Sequence, residues 1–427
     1  MKRILWLFLC VALIGTLAAA VEITAWITYG GIMGNVLVDL IENDFTKSTG
    51  IEVRYEPYMI DSNYFMKVLL AAATGDGPDV LTLGSAQVVD LAMRNAIVDL
   101  NTFPDFNKAV ADIYPGALRT LKFKEHYFGV PFELGWTIAY YRQDMFDAYG
   151  LKPPTTWEEL RKIIPKIQAQ KKTAWISTIG NSADGQTRAF FPFIYQRNSD
   201  IFTEDGLKSN LDSPMALEAF KEFTGFYTDH KLPLEMPEIE AFSNGDMPYM
   251  VSLNWLYTMF LRGKPELQGK WGVTVCPGTK QPNGTINHTV PISSFAFAIP
   301  NGKNAEKTKA AWEFIKWIAS DRVQKEYQRR IYESPDKWIL VFGTKGTANS
   351  DVFMERDRKV MDAALKQSLG PRAVVGGYQT YRYFSFAFSK VVMQKEDPKK
   401  VLLEAAKDSN TELERKRKEF ARFVDKL

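Results

Sequence analysis

The sequence predicts an α/β protein of two lobes, each a mostly parallel sheet flanked by helices and joined by a hinge of about three crossings. Three observations carry that expectation. The chain has 427 residues, more than one apolar core organises, so two cores are expected. From Glu22 onward, strand-like and helix-like segments alternate, which is the pattern of a parallel sheet covered by helices. Residues 128–160 then read as a passage out of one sheet and into another.

Taken in order, residues 22–27 alternate apolar and polar positions as a first strand, and residues 28–31 form the loop at its carboxyl end. A helix over 34–47 places Val36, Leu37, Leu40, Ile41 and Phe45 on one face and stops at Gly50. Residues 51–55 are the next strand. Asp61 and Ser62 start a helix that Gly75 ends, residues 79–83 form a buried strand, and Ser85 caps a helix reaching Asn95. Ligands of such sheets sit beyond the carboxyl ends of the strands, where loops and helix amino termini gather. That rule selects loops 28–31 and 84–87, and within them Tyr29, Ser85 and Gln87.

Pro131 biases Val130 toward an extended backbone, so a straight approach to the crossing at residues 133–136 is expected, with Glu133 and Trp136 at the junction of the lobes. A strand over 137–141 opens the second lobe. Thr156 and Glu159 have capping-box spacing, and Trp157 beside them reads as a packing residue. Residues 174–179 form a strand and 180–188 a polar loop. Ser213 and Pro214 begin a helix with an aromatic core stripe, and Asn254-Trp255 opens another helix. Trp255, a large flat ring at a strand end, suits the apolar face of a sugar. Residues 290–299 return as a second crossing, a helix starts at Asn304, and a third crossing follows Ser334-Pro335. Helices over 351–367 and 381–395, then two further helical segments, complete the chain. The basic run 415–418 alternates with Glu412, Glu414 and Glu419 and reads as a solvated face.

Composition narrows the function. Net charge is +3 from 53 basic and 50 acidic residues, which gives no support to a nucleic-acid partner. Residues 1–20 carry Lys2 and Arg3, a short apolar core and a small-residue end, the pattern of an export signal. Cys10 lies inside that apolar core, which argues against lipoprotein processing there. Past residue 20 only Cys276 remains, so no internal disulfide is expected. His126, His230 and His288 are widely separated, which offers poor material for a metal site or a catalytic triad. No catalytic residue, cofactor or metal is expected. The sequons at Asn283 and Asn287 read as polar turns, and residues 343–347 lack the ending of a phosphate loop.

Four separated stretches share a further likeness. They are Gly129-Val130-Pro131 with Tyr141, Asp144 and the run to Trp157; Ala72-Ala73-Thr74-Gly75-Asp76-Gly77-Pro78-Asp79; residues 242–257; and residues 310–327. In this order they resemble the sugar-type extracellular solute-binding proteins of bacterial ABC importers, the maltose-binding group. The resemblance covers nearly the whole chain beyond residue 20. It implies the two-lobed periplasmic-binding-protein fold, with residues 21–133 and 293–336 in the amino-terminal lobe and 137–288 and 340–427 in the carboxyl-terminal lobe. By position it adds Gln186, Arg188 and Tyr378 to the ligand-facing set and supports Trp255. The charged residues that the maltose-binding group carries in loops 28–31 and 84–87 are absent here, so the fold carries over better than the ligand.

The implied function is that of an exported, monomeric, non-enzymatic binding component, in the periplasm or on the outer face of the membrane. It would close on a carbohydrate or polyol and present it to ABC permease subunits. Two alternatives stand beside it: a secreted glycoside-acting enzyme, which needs two facing carboxylates of which Glu133 supplies one, and a stand-alone carbohydrate sensor.

Overall fold

In the first lobe, strands β1 (Glu22–Ile27), β2 (Glu52–Pro57) and β3 (Val80–Gly84) pair in parallel in the order β2-β1-β3. A computed structural model describes residues 20–59, 61–178 and 182–424 of the chain. The export signal lies outside the described residues except for Ala20. Helix α1 (Gly31–Leu40) leaves the end of β1, continues as a π-helical turn over Ile41–Thr46, and closes at Gly50, where φ is +72°. Helix α2 (Ser62–Thr74) begins where the Asp61 carboxylate accepts from the Tyr64 amide at 2.8 Å, and it ends at Gly75 with φ +81°. Both stops use the left-handed backbone that only glycine adopts without strain. Helix α3 (Ser85–Met93) follows β3, with Gly84 in the capping position expected of Ser85. The Gln87 side chain turns back to accept from the Gly84 amide at 3.1 Å, which leaves Ser85 free of that task.

The longer strands that follow among the described residues are β4 (Val130–Arg142), β5 (Ala174–Ile176), β6 (Tyr249–Leu253), β7 (Trp271–Thr274) and β8 (Val290–Ala298). The strand order is β2-β1-β3-β8-β4-β6-β5, with β7 also on β4. β4 runs unbroken for 13 residues and changes partner partway. Up to Trp136 it pairs antiparallel with β8, and from Thr137 to Tyr141 it pairs antiparallel with β6. β8 pairs antiparallel with β3 on its other side, while β5 extends the second lobe parallel to β6. A third strip of backbone lies along the crossing, where the Leu134 amide donates to the Val341 carbonyl at 2.8 Å and Phe342 bridges to Glu133. Gly343 lets it pass closely, since a Cβ there would fall 2.6 Å from the Pro131 carbonyl oxygen. The two-lobed α/β class and the three crossings are therefore present.

Second-lobe helices mostly start where their capping residues stand. α4 (Trp157–Ala169) has the reciprocal box, with the Glu159 amide donating to Thr156 Oγ1 at 3.1 Å and the Thr156 amide to Glu159 at 3.3 Å. Trp157 is 1% exposed, stacks on Phe193 at 4.1 Å and donates to Gln196 at 2.7 Å, a packing role. Residues 182–188 are not loop. Helix α5 (Ala183–Tyr195) starts on Ser182, whose hydroxyl accepts from the Gly185 amide at 3.0 Å, and Asp184 pairs with Arg188 one turn on at 2.6 Å. These are ordinary helix-start contacts. Helix α6 (Leu256–Gly263) follows Trp255, α7 (Gly377–Gln394) begins four residues before the expected Tyr381, and α8 (Pro398–Val424) is one helix where two segments were expected.

Candidate functional site: a groove at the lobe junction

The carboxyl ends of β5 and β6 open onto a cavity of about 540 Å³. Trp255 stands at its rim, 41% exposed, in a chain that buries most of its large rings. On the floor, one carboxylate gathers three donors. Glu238 accepts from Trp175 Nε1 at 2.8 Å, from Ser252 Oγ at 2.9 Å and from Ser177 Oγ. Two smaller cavities continue from it. One of about 20 Å³ shares Ser177, Ser252 and Leu253 with the first and adds Thr137 and Arg188. The next, about 60 Å³, shares Arg188 and is walled by both lobes: Ser85 and Thr120 from the first, Tyr378 and Arg372 from the second, and Ser293 on β8 between them. At this end Arg372 Nε lies 3.9 Å from the Asp200 carboxylate, and Arg188 pairs with Asp184.

The crossing holds this groove in register. Asn254 Oδ1 accepts from the Trp136 amide at 3.0 Å, its own amide donates to the Trp136 carbonyl at 3.1 Å, and its Nδ2 donates to the Leu134 carbonyl at 3.4 Å. The Trp255 rim is thereby stapled to β4 where that strand changes partner.

The expected site residues divide. Ser85, Arg188, Trp255 and Tyr378 line the groove, the last being 52% exposed. Gln87 is half-buried, with its side chain on the Gly84 amide. Tyr29, Trp136 and Gln186 are 6%, 1% and 2% exposed and line none of the three cavities. Each has a physical reason. Tyr29 turns inward against Phe132 and Tyr327, and its hydroxyl donates to Glu133. Gln186 sits in the first turn of α5 facing α7, where Ser385 Oγ donates to it at 2.7 Å. Trp136 lies on the other face of β4 from Glu133, because side chains alternate along a strand. Phe132, Leu134 and Trp136 are buried, while Glu133, Gly135 and Thr137 are half-buried, and Thr137 reaches the groove. Glu133 and Trp136 therefore cannot serve one surface. Burial pushes the Glu133 carboxyl up to about 7, against the opposing pull of the Tyr29 hydrogen bond.

Sequence reading missed Glu238, Ser177 and Ser252. The two serines lie at the carboxyl ends of β5 and β6, so the strand-end rule applied to the first lobe would have found them in the second.

The family model for bacterial extracellular solute-binding proteins matches residues 41–331. The chain belongs to that family. Among curated relatives, it is similar to a binding protein of Brucella abortus, 24% identical over 291 residues that span 65% of this chain and 66% of the relative. It is also similar to the arabinooligosaccharide-binding protein of Halalkalibacterium halodurans, 23% identical over 276 residues, 61% of this chain and 60% of that one. The chain thus spans just under two-thirds of the length of the curated relatives it matches. Among solved structures, the cyclic α-maltosyl-1,6-maltose binding protein from Arthrobacter globiformis superposes with TM-score 0.77 at 17% identity, covering 92% of this chain and 99% of that one. At that identity the likeness speaks for the fold.

Proposed function

We propose that this protein is the substrate-binding component of an ABC importer, capturing a carbohydrate or polyol between its lobes by hinge closure and handing it to membrane permease subunits. The observation that carries this reading is the half-exposed Trp255 ring beside the Glu238, Ser177 and Ser252 oxygens, over a cavity of about 540 Å³. A flat apolar face with hydroxyl-binding oxygens at its edge matches the two-sided chemistry of a sugar ring. The curated relative named for an arabinooligosaccharide and the solved structure named for a cyclic maltosyl sugar support a carbohydrate ligand. The change of β4 partner between Trp136 and Thr137 supports lobes of 21–133 with 293–336 and 137–288 with 340–427. Ser85 and Ser293 face Arg188 and Tyr378 across the narrow end, so a ligand there touches both sides and favours closure by its differential affinity. The chain works outside the cytoplasm, as a monomer and without turnover. No helix among the described residues is long and apolar enough to cross a membrane.

A thermal-shift screen of the secreted protein against sugars and polyols tests the reading. At least one member is expected to raise the melting temperature without being consumed. A panel with no hit contradicts a carbohydrate ligand, and hydrolysis of the hit transfers the reading to a glycoside-acting enzyme.

A further inference from the structure

The groove has chemically different ends. At the narrow end stand two guanidinium groups, Arg188 and Arg372. At the Trp255 end the ionisable lining residues are Glu235 and Glu238, with no lysine, arginine or histidine among the described residues there. Neither carboxylate forms an ion pair among the described residues, although more than thirty such pairs are distributed over the rest of the molecule. Among the described residues, each hydrogen-bond partner of Glu238 is an uncharged donor: the Trp175 ring nitrogen and two serine hydroxyls. Those donors fix the orientation of the carboxylate without supplying a counter-charge. Partly buried charges are ordinarily paired, and an open tryptophan face attracts a cation as well as an apolar surface. The half-buried Glu238 carboxylate and an exposed indole around one cavity, with the exposed Glu235 at its edge, therefore leave the place of a cation unfilled by the protein.

We propose that the ligand brings that cation: a sugar bearing a protonated amino group, seated with its nitrogen between Glu238 and the Trp255 ring. This rests on the carbohydrate reading and narrows it to amino sugars. Glu238 then discriminates charge, since a neutral sugar of the same shape gains hydroxyl contacts but leaves the carboxylates without a positive partner.

Calorimetric titration of the secreted protein with three matched disaccharides tests this: the β-1,4-linked glucosamine dimer, its N-acetylated form, and cellobiose. The amine is expected to bind at least about tenfold more tightly than both neutral sugars, and Glu238→Gln is expected to shrink that ratio to within about threefold. The ratio is taken within one protein, so partial unfolding of the variant lowers all three bindings alike and leaves the ratio readable. Equal or tighter binding of a neutral sugar by the unaltered protein overturns the inference, as does a preference for the amine that survives Glu238→Gln. If these three fail while another neutral sugar of the wider panel binds, the amino-sugar inference falls and the carbohydrate reading stands. If no sugar binds, both fall.

Discussion

The two lobes present different surfaces to the groove between them. At the carboxyl end of β1, Tyr29 folds back into the first lobe, donates to Glu133, and accepts at its carbonyl from the Tyr55 hydroxyl. At the carboxyl end of β6, Trp255 remains 41% exposed and Glu238 is held open by serines and an indole. Similar positions in the two sheets thus do opposite things. The first lobe uses its tyrosine to stabilise a buried carboxylate, and the second keeps its ring free. The lesson is that a strand-end aromatic is a ligand candidate only when its own lobe leaves its face uncovered. If so, substitutions at the first lobe's strand-end ring change stability and leave affinity alone, while substitutions at the second lobe's ring do the reverse.

Glu133 should show the largest stability effect. Its carboxyl is held at about 7 in the folded protein against an ordinary 4.5. The folded state therefore binds that proton more tightly than the unfolded chain does. The resulting stabilisation is complete below about pH 4.5 and is lost as pH rises through 7, with an upper bound of about 3 kcal/mol. Glu133→Gln is expected to flatten the fall in unfolding free energy between these pH values, measured by denaturant titration. An unchanged pH profile in the variant would remove this half of the comparison.

Trp255→Ala should act on the other side. Losing the ring is expected to cost about 1.5–3 kcal/mol of binding, roughly a 10- to 150-fold weaker dissociation constant for the best sugar of the panel. Stability should change by about 1 kcal/mol or less, because much of the ring already meets solvent. Calorimetry and thermal unfolding on the same preparation separate the two effects.

Tyr29→Phe sharpens the contrast with a smaller effect. It removes the hydroxyl facing Glu133 while keeping the ring against Phe132 and Tyr327. A stability loss of about 1–2 kcal/mol is expected, with affinity unchanged within about twofold. A large loss of affinity instead would return Tyr29 to the ligand.

Much of this fold was legible because its signals are local. The Asp61 cap, the Thr156–Glu159 box and the glycine stops at Gly50 and Gly75 act within one turn of chain, and each occurs where the residues stand. The site was less legible, for two reasons. Trp136 and Glu133 are close in sequence, but only an unbroken β4 shows that they face opposite ways. Glu238 becomes interesting only beside Ser177 and Ser252, and these meet because β5 pairs with β6 and the helix Glu238–Ser243 packs at their ends. No spacing in the chain announces that meeting. The place of Trp255 at a strand end was readable from the residues, but its open face was not, since Tyr29 stands at a similar strand end and is buried.

Everything proposed for the groove requires a sugar seated between the lobes against Trp255. A crystal structure of the secreted protein with the tightest-binding member of the panel tests it most directly. A sugar ring is expected to lie on the Trp255 face, within hydrogen-bond distance of Glu238 and touching at least one of Ser85 or Ser293. A sugar bound elsewhere, or one that leaves Trp255 facing solvent, would contradict it.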